Sequence, residues 1–136
     1  MIKHRTNIKV RYGETDQMGY VHHSRYALYL EEARMDLLSS RGLHCDKLEK
    51  EGVILPVVEM HHRYSAPLRY GESFVVETTL EWPVKTKLEF TYKLFRMDGS
   101  AVSRAQTTLV FAQAESGKLI ADPAPFLKPL EKTNNQ

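Results

Sequence analysis

The densest concentration of reactive side chains is the stretch Tyr12-Gly13-Glu14-Thr15-Asp16-Gln17-Met18-Gly19-Tyr20-Val21-His22-His23, with two acids, two histidines and two glycines. A carboxylate such as Asp16 that stays ionised can attack an electrophilic carbon or deprotonate water. Gly13 and Gly19 permit a tight turn and close approach by a bound molecule. The same residue types also build plain turns, in which Thr15 and Asp16 would only bond to nearby backbone. Both readings stand open on local pattern alone. The remaining candidates carry less. His22-His23 and His61-His62 are adjacent pairs whose side chains diverge in extended chain, and no short Cys or His spacing resembles a zinc site, so no metal site is expected. Cys45, the one cysteine, has no oxyanion-hole pattern beside it and reads as an inert thiol. Glu14, Glu31 and Glu32 read as solvated acids.

The loop leads straight into the one strong helical pattern. From Ser24, the residues Tyr26, Tyr29, Leu30, Ala33, Leu37 and Leu38 recur at spacings of three and four, while Arg25, Glu31, Glu32 and Asp36 fill the other face. Ser24 or a residue just before it caps the start and Gly42 ends the helix, a length of about 18 residues and roughly 27 Å. The helix start, with about half a positive charge and free backbone N–H groups, can hold an anion or polarise a carbonyl oxygen. A short second helix is expected from Asp46 to Glu51.

Strand patterns supply the rest. Asn7 to Tyr12 alternates with period two, and Val57–Tyr64, Ser73–Trp82, Lys87–Met97 and Ala101–Ala114 read as strands separated by Pro67, Gly71, Pro83 and Asp98-Gly99. Asp98-Gly99 is a hairpin signal. Leu88, Phe90, Tyr92 and Leu94 face one way and need an apolar cover, for which the long helix is the candidate. The tail beyond about residue 130, after Pro123, Pro125 and Pro129, is expected to fray.

Composition bounds the class. The 136 residues fit a single domain spanning 1–136, with 42% hydrophobic and 26% charged residues in the ordinary globular range. The net charge of +2, from 19 basic and 17 acidic residues spread along the chain, announces no nucleic-acid partner. A single cysteine suits a reducing compartment, and no stretch is apolar enough for membrane insertion, so a cytoplasmic protein is expected.

The segment Tyr12 to Tyr26, followed by Tyr29-Leu30-Glu31-Glu32-Ala33-Arg34, resembles the signature of the hotdog-fold acyl-CoA thioesterases of the 4-hydroxybenzoyl-CoA thioesterase and YbgC type. Downstream, Tyr64-Ser65-Ala66-Pro67-Leu68-Arg69-Tyr70-Gly71-Glu72 resembles that family's turn before the third strand, and Gly99 with Ala105 its last hairpin. The resemblance covers about Ile8 to Pro125. It implies an α+β hotdog fold, a long central helix wrapped by a curved antiparallel sheet, assembled as a homodimer or homotetramer with active sites at subunit interfaces. It places the catalytic carboxylate on Asp16 and the carbonyl-polarising N–H near His23, whose side chain can orient water or substrate. Gly19, Tyr20 and Val21 would line the substrate, and Lys85 and Lys87 would meet the phosphates of CoA. Met18 stands where many relatives carry a small residue, which would alter the acyl cavity. The implied reaction is hydrolysis of an acyl-CoA to a carboxylic acid and CoA, with no cofactor beyond the CoA of the substrate. Asp16 would act as general base or through an acyl anhydride. An acyl-carrier-protein thioesterase, or a non-catalytic module binding acyl-CoA or acyl-carrier protein, are the alternatives.

Overall fold

The computed structural model describes residues 1–134. Its frame is a five-stranded antiparallel sheet in the order β1-β4-β5-β6-β3, made of β1 (Ile2–Lys9), β3 (Val57–Tyr64), β4 (Ser73–Leu80), β5 (Lys87–Arg96) and β6 (Ala101–Val110). A minor two-stranded sheet joins β2 (Val53–Ile54) to β7 (Ala112–Gln113). Among the described residues three α-helices complete the fold: α1 (Tyr26–Ser40), α2 (Cys45–Lys50) and α3 (Lys128–Asn134).

The sheet forms because alternation holds through its central strands. In β5, Leu88, Phe90, Tyr92 and Leu94 are buried while Lys87, Glu89, Thr91 and Lys93 are exposed. The expected α+β arrangement follows: α1 lies on the buried face and contributes Tyr26, Tyr29, Leu30, Ala33, Leu37 and Leu38 to a core with Phe74, Phe90, Leu94 and Val102. Asp98-Gly99 turns β5 into β6, with the Ser100 N–H donating to Asp98 Oδ1 at 2.8 Å.

Several boundaries differ from the sequence reading. The first strand begins at Ile2 rather than Asn7, because its inward positions include polar His4 and Thr6, which hide the alternation. Both reach the same helix acid: His4 Nε2 lies 2.9 Å from Asp36 Oδ2, and Thr6 Oγ1 donates to that oxygen at 2.7 Å. Asp36 is therefore a tie between α1 and β1. The helix is 15 residues long, preceded by a 3-10 turn over His23–Arg25. Arg34 is buried on the core side, beside the Tyr92 hydroxyl that also bonds Thr107 Oγ1 at 2.6 Å. At its other end the Gly42 N–H donates to Ser39 O and the Leu43 N–H to Leu38 O, with Gly42 at φ 90°, where a side chain would be strained. In place of a fraying tail, α3 runs through Asn134, since Leu127 and Leu130 are buried against the core. The last two residues of that tail lie outside the described residues.

Leu30 is wholly buried on α1 and its neighbour Glu31 is exposed. Leu30→Ala should cost about 2–5 kcal/mol in urea unfolding, while Glu31→Ala should stay within about 0.5 kcal/mol of the parent.

Candidate active site

The loop before α1 is a tight hairpin. His22 N–H donates to Glu14 O at 3.0 Å, Thr15 and Val21 form a bridge, and Asp16 N–H donates to Tyr20 O at 2.7 Å. At its tip the Asp16 carboxylate is held by one oxygen only. Oδ1 accepts from Met18 N–H at 2.9 Å and Tyr20 N–H at 3.2 Å, and among the described residues Oδ2 makes no hydrogen bond. Gly19, at φ 84°, supplies the left-handed residue that lets the chain fold back over the carboxylate. Asp16 is thus both a turn residue and an exposed carboxylate with a free oxygen.

A second turn braces this hairpin. Val21 N–H donates to Leu68 O at 2.8 Å, and Tyr70 N–H to Gly19 O at 3.2 Å. Arg69 donates to the Tyr20 hydroxyl at 2.8 Å. The brace is itself clamped, since Arg96 Nε donates to Glu72 Oε2 at 2.7 Å and its Nη2 donates to Pro67 O. Glu14 is not the solvated acid that its type suggests. Its Oε1 accepts from Arg11 N–H at 2.7 Å and from the buried Tyr29 hydroxyl at 2.9 Å, which fastens the hairpin to α1. Burial and this contact with Glu14 push the Tyr29 hydroxyl far up, so it remains a proton donor.

Asp16, Gly13 and Gly19 line a cleft of about 690 Å³ walled by the exposed rings of Tyr12 and Tyr70, which meet edge to face at 5.7 Å. The chain then enters the helix. His22 caps the 3-10 turn, its Nδ1 accepting from Ser24 N–H at 3.2 Å, and among the described residues the His23 N–H donates to no protein atom. Two exposed features therefore stand at the two ends of one short hairpin: a carboxylate oxygen and an unused backbone donor.

The other predicted residues are distributed unevenly. Gly19 and Tyr20 belong to the Asp16 turn, with the Tyr20 ring engaged by Arg69. Val21 is buried, so its side chain packs in the core and only its backbone serves the loop. Met18 is exposed at the tip. Lys85 and Lys87 stand at the opposite end of β5 from Arg96, about 30 Å along the strand, and lie outside this cleft. Among the described residues no three of His, Cys, Asp and Glu converge as metal ligands. Burial pushes the Cys45 thiol up, which keeps it protonated.

A cluster beside the helix start has no counterpart in the sequence reading. His62 and Tyr64 of β3 stack at 4.4 Å, and both rings meet Tyr26, the first residue of α1, edge to face at 5.2 and 5.0 Å. His62 Nε2 also lies 3.0 Å from Ser103 Oγ. The two β3 residues share a face because they are two apart, a signal that a His-x-Tyr spacing on a predicted strand could have supplied.

The profile of the thioesterase-like superfamily matches residues 10–130. The chain belongs to this superfamily. A relative, YneP of Bacillus subtilis (strain 168), provisionally named an acyl-CoA thioesterase, is 37% identical over 113 residues, covering 83% of this chain and 82% of YneP. A DHNA-CoA thioesterase from Staphylococcus aureus superposes with a TM-score of 0.90 at 29% identity, covering 99% of this chain and 93% of that one. A hypothetical protein of Thermus thermophilus superposes at 0.84 with 41% identity, over 96% of each chain. The thioesterase hotdog fold expected from the loop and helix motif is thereby established.

Burial holds the His62 pKa down to about 4 in the folded protein, against an ordinary 6.5. Between those values the unfolded chain binds a proton that the folded chain does not, so this group stabilises the fold at neutral pH and loses that contribution as pH falls from 6.5 towards 4. His62→Gln should show a flatter fall in denaturation midpoint across that window than the parent. Parallel curves for the two proteins would contradict it.

Proposed function

We propose that the chain hydrolyses acyl-CoA thioesters to a carboxylic acid and CoA, with Asp16 as its catalytic carboxylate. The observation that carries this reading is the half-used carboxylate: the turn is satisfied by Oδ1, which leaves Oδ2 facing solvent at a cleft. The names of the superfamily relatives supply the thioester chemistry. The thioester carbonyl oxygen accepts from the free His23 N–H, where the helix terminus adds its partial positive charge. Carbonyl polarisation exposes the carbon, because sulfur donates little electron density into it. Asp16 then either takes a proton from an attacking water or attacks directly to give an acyl anhydride that water cleaves. In both routes the thiolate of CoA leaves and is protonated, and water supplies the new carboxyl oxygen. Gly19 and Tyr20 shape the turn against the substrate, and the His23 side chain borders the carbonyl site.

The reading extends to assembly and location. β1 is an edge strand guarded by exposed Lys3, Arg5 and Lys9, whereas the other edge, β3, exposes Val57, Val58 and Met60. An apolar edge with free backbone groups is the one that a second copy closes, and β3 also carries His62 and Tyr64 at the helix start. A homodimer paired along β3 would set the site beside the partner. No described helix is long and apolar enough to cross a membrane, and the unpaired Cys45 suits the cytoplasm.

The substitution Asp16→Asn tests the assignment cleanly, because the amide oxygen of Asn can still accept from Met18 and Tyr20 N–H while the charge is lost. Thiol release from the best of a panel of acyl-CoAs should fall by about a hundredfold or more, equivalent to at least ~2.7 kcal/mol of transition-state stabilisation, with thermal unfolding little changed. Near-parental release by a folded variant would move the active site elsewhere. Binding of acyl-CoA by the parent without release would make the domain a binding module, and release from acyl-carrier protein alone would change the substrate. Turnover should also survive exhaustive chelation; its loss, restored by one divalent ion, would overturn the metal-free route.

A further inference from the structure

Arg34 breaks the pattern of its own helix. It lies four residues after Leu30 and four before Leu38, on the stripe of α1 that faces the core, where the helical period calls for an apolar residue. The residue is buried all the same, with 8% of its surface exposed. Among the described residues it forms no ion pair, and the polar group within its reach is the Tyr92 hydroxyl, which also bonds Thr107. A guanidinium is a fork of several N–H donors, so one hydroxyl leaves most of them unused. Among the described residues none of its nitrogens is sealed from solvent without a partner, so the unused donors open outward.

They open onto a groove of about 370 Å³ that Arg34 itself lines. The depth of this groove is apolar: Leu38 of α1, Leu48 of α2 and Leu109 of β6 are buried, and Leu55 of the β2–β3 link is half-buried. The half-buried Cys45 thiol belongs to the same wall. Glu31 and Glu49 stand on the rim, both exposed, and neither pairs with Arg34. A buried cation without a counter-charge is costly, and sequences break their local rules chiefly where a function requires it. A neutral side chain would serve the Tyr92 tie as well. The charge is what calls for an anion.

We propose that this groove binds a free aliphatic carboxylate, with its carboxyl group on Arg34 and its chain laid along Leu38, Leu48, Leu55 and Leu109. The planar guanidinium matches a carboxylate at two points. The apolar depth selects a hydrocarbon body over a sugar or an amino acid. Glu31 and Glu49 repel a ligand of higher negative charge, so the free acid is favoured over its CoA ester, which carries phosphates. The volume is near the lower end of the ~300–1,000 Å³ range of ligand pockets, which fits a short to medium chain. The groove shares no lining residue with the Asp16 cleft, so it is a second site. Its ligand is of the class that the proposed hydrolysis releases. That link rests on the proposed function, whereas the binding rests on Arg34 and the groove alone.

Titration calorimetry with octanoate and octanol as probes tests this on the parent, Arg34→Met, Met35→Trp and Asp16→Asn, with thermal melts to verify folding. Octanoate should bind the parent at least about tenfold tighter than octanol, the factor that a hydrogen bond between charged groups contributes. Arg34→Met should lose that preference. Met35→Trp, which fills the groove from its exposed edge, should lose both ligands. Asp16→Asn should bind octanoate as the parent does. In the parent, saturating octanoate should also slow alkylation of Cys45 by N-ethylmaleimide, a readout that needs no variant and that a purely structural tie to Tyr92 would not give. Should Arg34→Met fail to fold, Met35→Trp and the alkylation rate decide. Equal affinity for octanoate and octanol, or an unchanged alkylation rate at saturation, would overturn the proposal. So would octanoate binding that survives Arg34→Met and disappears in Asp16→Asn, which would seat the acid in the Asp16 cleft. The proposed activity fails separately: a parent that binds octanoate in this way and releases no thiol from any acyl-CoA leaves this site standing.

Discussion

Two backbone hydrogen bonds, Val21 N–H to Leu68 O and Tyr70 N–H to Gly19 O, close the Asp16 hairpin against the turn that leads into β4. Everything chemical in the site depends on that closure. A twelve-residue loop left free would spread Asp16 over many positions, and fixing even a few backbone residues costs on the order of 1–2 kcal/mol each. Here the cost is met by the sheet. The bracing turn is clamped by Arg96, which lies on β5 and donates to both Glu72 and Pro67, so the position of the carboxylate is inherited from the central strand of the sheet.

Glu14 provides the matching tie on the helix side. Its carboxylate takes the hydroxyl of Tyr29, a residue that helical spacing alone places in the core. One acid of the loop therefore orients the helix, and the other is left with a free oxygen. The division is set by partners: Glu14 reaches a buried hydroxyl and a backbone N–H, whereas Asp16 reaches only the N–H groups of its own turn. Two carboxylates two residues apart thus do different work for reasons that lie outside the loop.

This explains which features were legible in the sequence. The period of α1 identifies its buried face, and the alternation of β5 identifies the face it covers, because both depend on local spacing. The turn around Asp16 is legible in the same way, from its turn-forming residues, whereas a catalytic role for Asp16 is what the family resemblance implies. Features settled by long-range pairs were hidden. The inward His4 and Thr6 masked the start of β1 because their partner, Asp36, is on the helix. Glu14 passed as solvated because Tyr29 lies 15 positions away, and the burial of Arg34 went unseen because Tyr92 and Thr107 are brought beside it only by the sheet.

The same logic relates the two faces of the sheet. On the inner face, polar residues are few, so burial sets the architecture with little freedom. On the outer face, charge placement is not constrained by the core at all, since either sign would leave the alternation intact. The Asp16 end of the molecule is governed by α1 and the two clamped turns. Edge pairing at β3 would act on the start of α1 through His62 and Tyr64, which pack against Tyr26.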